Sequence, residues 1–324
     1  MDAEEIDLLT GSLRSVFAEG GADVPGQLRE LGWDDVVAAD PASATTLLFT
    51  EKGRALSAAA LLDDAVLPLL RAELPADLPG EADLVCYPYP GSGTRPSATP
   101  LGVTGILLRR PEPDERLVIP VADAGGVSLA VATAGAFAVT PLPSLDGSAG
   151  WYTVSGPTPT ARYDGNAWTA AATAAHRALA AELIGVAERA LELAIEHTSS
   201  RRQFNASIAA FQAVRHRLAD GYVAIAAARA LLAASFGDVS GPEPVVAAAA
   251  KARAGRAHAL VSAGAVQVCG AMGATLEHPL HRYVNRGAVL DGLLGSSAEL
   301  TAEFGSMIRA TVASGGRIPL LVEV

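Results

Sequence analysis

Three side chains of unlike chemistry stand within four positions of one another: Arg201, Gln203 and Phe204. They fall in Arg201-Arg202-Gln203-Phe204-Asn205-Ala206-Ser207-Ile208-Ala209-Ala210-Phe211-Gln212, between two strongly helical segments. A guanidinium fork matches the oxygens of a phosphate, and an aromatic ring can cover a nucleobase or ribose. The stretch reads either as an anion clamp or as a solvated inter-helix corner, with Arg201 near a helix C-terminus where a cation is favoured. Periodicity alone leaves both readings open.

Other reactive residue types lead to plainer readings. His278-Pro279-Leu280-His281 offers two imidazoles but no third ligand nearby in sequence, and Pro279 suits a helix start. Cys86 and Cys269 provide neither zinc spacing nor a disulfide framework, so no metal site is expected. Gly91-Ser92-Gly93-Thr94-Arg95 lacks the Gly-Lys-Ser/Thr ending and the following helix of a phosphate loop, and reads as a turn. No G-x-S-x-G elbow occurs. Ser296, three residues before Glu299, has the pattern of a helix capping box.

Three regions must position these residues. Residues 1–75 read as helices, with Ile6, Leu9, Leu13, Val16 and Phe17 on one face. Residues 76–160 hold most of the chain's 20 prolines, and short runs such as Leu117-Val118-Ile119 and Trp151-Tyr152-Thr153-Val154 predict a small β domain. Residues 161–324 predict a helical bundle. Leu179, Leu183, Val186, Ala190 and Ala194 form an apolar stripe there, with Glu188, Glu192 and Glu196 on another face. A second helix carries Phe211, Val214, Leu218, Ile225, Ala228 and Leu232. Gly237 to Pro244 ends it, and Pro244 opens a third helix reaching about Cys269.

Half of the residues are hydrophobic and 18% are charged, which suits tightly packed helices and argues against disorder. The net charge of −11 disfavours nucleic acid as a partner. The start Met1-Asp2-Ala3-Glu4-Glu5 lacks a signal-peptide pattern. The apolar run Val127 to Thr140 is shorter than the ~20 residues of a membrane span and reads as a buried strand pair. A cytoplasmic protein with no membrane contact is expected.

The Arg201–Gln212 stretch, continued by His216-Arg217-Leu218-Ala219-Asp220, resembles the R-x-Q-F-G…F-Q…H-x-L-A-D segment of acyl-CoA dehydrogenases. Gly185-Val186-Ala187-Glu188-Arg189-Ala190-Leu191-Glu192 resembles that family's preceding helix. Gln267-Val268-Cys269-Gly270-Ala271-Met272-Gly273 is similar to its Q-x-x-G-G-x-G turn. The resemblance implies a mainly α fold with a small β domain: an N-terminal helical domain, an abbreviated middle β domain and a C-terminal four-helix bundle. It implies oxidation of a CoA thioester to its α,β-enoyl form, with FAD taking the hydride. It also implies that Arg201, Gln203, Phe204, Gln267, Gly270 and Ala271 hold the ADP part of a neighbouring subunit's FAD. Alanine at 271 replaces the second glycine of the turn.

Two departures bear on catalysis. The family's glutamate-glycine-threonine motif, which carries the base, corresponds to Leu294-Gly295-Ser296; the alternative base position falls near Ala175. Neither has a carboxylate, so no catalytic residue is assigned. Glu182 and Asp291 lie off the aligned positions and are expected to be solvated or capping. Around the flavin ring, Cys86 to Thr94 matches the family loop only weakly, and no W-x-(S/T) segment is recognised. The pattern resembles the short, base-lacking subunit of actinobacterial heteromeric steroid-CoA dehydrogenases. It implies an α2β2 heterotetramer in which FAD is shared with a homologous catalytic subunit that binds most of the acyl-CoA. A self-sufficient dehydrogenase with an off-motif base, and a flavin-free assembly scaffold, are the alternatives. The alanine-rich faces from Ala170 to Ala194 and Val245 to Val268 are expected to bury much of the subunit contact.

Overall fold

The computed structural model describes residues 1–19, 23–75, 78, 83–93, 95–237 and 242–315. Five helices come first: α1 (Ala3–Glu19), α2 (Val24–Glu30), α3 (Trp33–Ala39), α4 (Pro41–Ala55) and α5 (Leu61–Arg71). The stripe read on α1 buries Leu13 and Phe17. Asp40 caps α4 by accepting from the Ser43 N–H, and Pro41 occupies a first-turn position where no amide is needed.

The strands follow: β1 (Asp83–Val85), β2 (Tyr87–Pro88), β3 (Ala98–Thr99), β4 (Gly102–Leu107), β5 (Arg116–Asp123), β6 (Gly126–Thr133), β7 (Ala138–Pro141), β8 (Tyr152–Gly156) and β9 (Tyr163–Asp164). They form one sheet in the order β7-β8-β4-β3-β5-β6-β9, with β1 on β5 and β2 on β4. Side chains alternate between two cores, as a pleated strand requires. Val85, Tyr87 and Val118 face the helical core, while Leu84, Cys86, Leu117 and Ile119 fill a separate cluster on the other face. The expected buried pair within Val127–Thr140 is corrected here. That run forms β6 and β7, which do not pair with each other: β6 joins β5 and β9, and β7 is a largely exposed strand on β8. The break at Ala134–Ala136 turns the chain away before a hairpin can form.

The bundle comprises α6 (Ala167–Ser200), α7 (Gln212–Ala234), α8 (Glu243–Cys269), α9 (Leu280–Gly292) and α10 (Ser297–Ala313), with the short hairpin β10 (Arg202–Gln203) and β11 (Ala206–Ser207) between α6 and α7. The predicted stripe on α6 is fully buried, and Ser296 makes the expected capping box with Glu299. Part of the linker read from Gly237 to Pro244, like Thr94 and the C-terminal end beyond 315, lies outside the described residues.

The alanine-rich faces are not where they were expected. Ala171, Ala175, Ala178, Ala187, Ala190 and Ala194 of α6 are buried inside this chain, as are Ala247, Ala250, Ala254 and Ala257 of α8. Small residues let helices approach closely, and these two helices use them on each other rather than on a partner. The backbones of α4 and α6 also approach closely. A Cβ on Gly53 would lie 2.2 Å from the Glu182 carbonyl oxygen, and one on Gly185 would lie 2.0 Å from that of Thr50. Glycine is the residue that this crossing admits.

Candidate functional site

The α4–α6 crossing sets Lys52 against Glu182. Their Nζ and Oε1 atoms are 2.5 Å apart and both residues are buried. Burial lowers the Lys52 pKa, and the Glu182 charge opposes that shift. Glu182 is therefore neither solvated nor a cap, correcting the sequence expectation: it is half of an internal ion pair. Beside it, buried Arg286 pairs with Asp146 and donates to the Ser57 carbonyl at 3.0 Å. These groups enclose a cavity of only about 20 Å³, whose walls include Leu179, Trp151 and Leu293. That space holds about one water.

The Leu294 loop is pinned from below. His176 Nε2–H donates to the Leu294 carbonyl at 2.9 Å, and the Lys251 ammonium donates to the carbonyls of Asp291, at 2.9 Å, and Gly295. Burial lowers the His176 pKa to about 4 and that of Lys251 to about 8. Leu294 is buried and has φ +56, a left-handed backbone that a non-glycine residue adopts at a cost. Ala175 is buried too. Asp291 has the capping role expected of it, accepting from the Ser297 N–H at 3.0 Å and hydroxyl at 3.1 Å. No free carboxylate remains on this loop for proton abstraction.

A larger apolar groove of about 430 Å³ opens on the other side of α6, lined by Trp168, Thr173, His176, Val245, Leu300 and Phe304 among others. Its carboxylate, Glu303, is exposed.

The other end of the bundle is built differently. His197 in the last turn of α6, Cys269 at the end of α8, and His278 bring ligand atoms within 4.8 Å of one another. The ends of α6 and α8 are therefore neighbours. Arg201 leaves α6 with its N–H bonded to the His197 carbonyl, and Gly270 leaves α8 with φ +61. The sequence-assigned residues Arg201, Gln203, Phe204, Gln267, Gly270 and Ala271 are accordingly gathered at this end, and all are exposed.

Within β10–β11, Arg202 pairs with Ser207 and Gln203 with Ala206, leaving Phe204-Asn205 as a two-residue turn. Their φ values are +53 and +61, the signature of a type I′ turn. Asparagine tolerates that conformation; phenylalanine pays for it. The ring is nevertheless 88% exposed, touching Phe211 edge to face at 6.2 Å between centroids. Among the described residues, the side chains of Arg201, Gln203 and Gln267 have no hydrogen-bond or ion-pair partner. A Cβ added to Gly270 would meet nothing within 4 Å.

Residues 164–301 match the family described as acyl-CoA dehydrogenase, C-terminal domain. That span contains the Leu294 loop and all six residues assigned from the sequence. The chain has the acyl-CoA dehydrogenase fold. It is 43% identical over 122 residues to acyl-CoA dehydrogenase IpdE2 of Mycobacterium tuberculosis, an alignment covering 38% of this chain and 37% of that protein. The chain thus spans little more than a third of the length of this curated relative in alignment. Solved structures agree over nearly all of the chain. The Tcur3481-Tcur3483 steroid ACAD variant superposes with a TM-score of 0.77 at 23% identity, over 96% of this chain and 99% of that one. A chain of the ChsE4-ChsE5 complex from Mycobacterium tuberculosis gives 0.74 at 21% identity, over 99% of each.

Trp151-Tyr152-Thr153 leads into β8, as its β-friendly composition predicts. Trp151 stands at the 20 Å³ cavity, and Thr153 is held on β8 by its hydroxyl contact with Thr140 at 2.6 Å. The cavity is therefore bordered by Trp151, the first bundle helix and Leu293 beside the loop at the base position.

Proposed function

We propose that this chain is the non-catalytic, FAD-clamping subunit of a heteromeric acyl-CoA dehydrogenase that introduces an α,β double bond into a CoA thioester. The observation that carries the proposal is the contrast between its two ends. The position of the chemistry is filled by the Lys52–Glu182 pair and bordered by Leu290 and Leu293, while the side chains of Arg201, Gln203 and Gln267 stand exposed and unpartnered among the described residues. When bound, FAD supplies the acceptor for the substrate's β-hydride. This chain's part is to hold a partner's FAD: the Arg201 guanidinium neutralises pyrophosphate charge, the Phe204 ring covers the nucleoside, and the Gln203 and Gln267 amides and the Gly270–Ala271 backbone donate around it. Side chains that find nothing to bind within their own chain suit a ligand seated in another.

The self-sufficient alternative needs Glu182 or Asp291 as a base, and both carboxylates are already engaged. A flavin-free scaffold leaves the strained, exposed Phe204 without purpose. The substrate is a steroid side-chain CoA ester in this reading, which the likeness to the Tcur3481-Tcur3483 steroid ACAD supports. The partner is a homologous catalytic subunit in an α2β2 assembly. The exposed Tyr222 and Val223 of α7 and Leu260 of α8 provide apolar surface for that contact.

Purified without its partner, the chain should not turn over any CoA thioester, because base catalysis is worth on the order of 10²–10⁴-fold and neither base position, Leu294 or Ala175, carries a carboxylate. Robust turnover by the chain alone contradicts the proposal. Leu294→Glu should not create activity, since a carboxylate there enters a core position with no space for substrate.

A further inference from the structure

We infer that His197, Cys269 and His278 form a metal site for a thiophilic divalent ion, Zn²⁺ being the best match. The two histidines and the cysteine come from three separate elements, and their ligand atoms all lie within 4.8 Å of one another. The third ligand that His278 lacks in sequence is supplied by tertiary packing, and it is not His281. His281 Nδ1–H instead donates to the His278 carbonyl at 2.7 Å, fixing the entry to α9.

The ligand chemistry is specific. Leu280 N–H donates to His278 Nδ1 at 3.2 Å, so the neutral ring carries its proton on Nε2. Metal binding through Nε2 therefore exchanges this bond for the other tautomer. The His197 ring meets that of His278 edge to face, with centroids 5.5 Å apart. Cys269 is a free, buried thiol. Two imidazoles and one thiolate select Zn²⁺ or neighbouring soft ions over Mg²⁺ and Ca²⁺, which prefer oxygen. Ligand atoms around tetrahedral Zn²⁺ stand roughly 3.5 Å apart, so the cluster closes by about 1 Å through side-chain rotation. Because His197 and His278 are only partly buried, water can complete the coordination.

Binding displaces the Cys269 proton to solvent, and the oxidation state of the metal does not change. Mechanically, the ion ties the end of α6 to the end of α8. Arg201 is four residues beyond His197, and Gly270 directly follows Cys269. The metal therefore preorganises both halves of the nucleotide clamp. That last consequence rests on the clamp reading; the site itself does not.

The test begins with the purified full chain, stripped with chelator and titrated with Zn²⁺ or Co²⁺. One equivalent should bind, and Co²⁺ should show tetrahedral d–d bands with a thiolate charge-transfer band. Cys269→Ser should abolish the charge-transfer band, and His197→Gln or His278→Gln should weaken binding on the order of a hundredfold. Circular dichroism checks that each variant is folded, and Cys86→Ser should bind as the parent does. Absence of metal binding by the parent, or undiminished binding by all three ligand variants, overturns the inference. In the co-purified complex, metal removal should also lower flavin retention several-fold. If metal binds as described but retention is unchanged, the site stands and its link to the clamp falls.

Discussion

The two ends of the helical bundle use polar groups in opposite ways. Around the base position, Lys52, Glu182, Arg286, Asp146, His176 and Lys251 are all buried, and each is satisfied by a partner within the chain. At the clamp, Arg201, Gln203 and Gln267 are exposed, and an aromatic ring is held outward on left-handed backbone. Buried polar groups must be paired where they are, because water is not there to help. Exposed donors without partners cost little, and remain available to something outside. In the proposed reading the first end is structure and the second a binding surface. A chain that closes its own pocket while keeping its clamp open is suited to completing another subunit's site.

The largest expected effect is at the closed end. Lys52→Met leaves Glu182 buried without its cation and should cost about 3–5 kcal/mol in denaturant unfolding. The double variant Lys52→Met, Glu182→Leu should recover most of that loss, because an apolar pair needs no compensation. If the single variant is as stable as the parent, the cavity is wetter than described and the contrast fails.

Next comes the pH dependence of the base-position loop. Burial keeps folded His176 neutral down to about pH 4, whereas the unfolded imidazole takes up its proton near pH 6.5. The folded state therefore binds fewer protons in that window, and stability falls as pH drops from 6.5 toward 4. The contribution reaches at most about 3 kcal/mol and is absent above the window. Subtracting the urea-unfolding profile of His176→Gln from that of the parent should isolate this slope. Parallel profiles would mean that His176 is solvated.

At the open end, Arg201→Ala should leave the unfolding free energy of the chain within about 1 kcal/mol, the worth of a cation at a helix terminus. In the assembled complex it should loosen FAD roughly tenfold to a hundredfold, as expected for loss of a charge-assisted contact of ~1.5–3 kcal/mol. Equal flavin content across a dilution series would return Arg201 to the solvated corner. The smallest effect sharpens the comparison: Phe204→Gly relieves a left-handed strain of ~1–2 kcal/mol and should stabilise the isolated chain by about 1 kcal/mol. Flavin retention should weaken at the same time. A variant that is less stable would show that the ring packs on its own subunit.

The features legible in sequence were those carried by local periodicity. The stripe from Leu179 to Ala194 and the Ser296–Glu299 box depend on residues a few positions apart, and both formed as read. The clamp assignment came from the family resemblance of the Arg201–Gln212 and Gln267–Gly273 segments, and the structure gathers those residues at one end of the bundle. Glu182 was misread because its partner Lys52 is 130 residues away, so nothing near it in sequence announces an ion pair. Lys251, which pins the Leu294 loop from 44 residues away, was missed for the same reason. The alanine faces were misassigned because composition reports that helices pack closely without saying against what.

The central claim is that this chain supplies a clamp and its partner supplies the site. It is tested most directly by flavin absorbance against total protein in the co-purified complex, with the mass determined in solution. An α2β2 assembly with two FAD per four chains is the predicted result. Four FAD per four chains, or a stable flavin-loaded homo-oligomer of this chain alone, would contradict it.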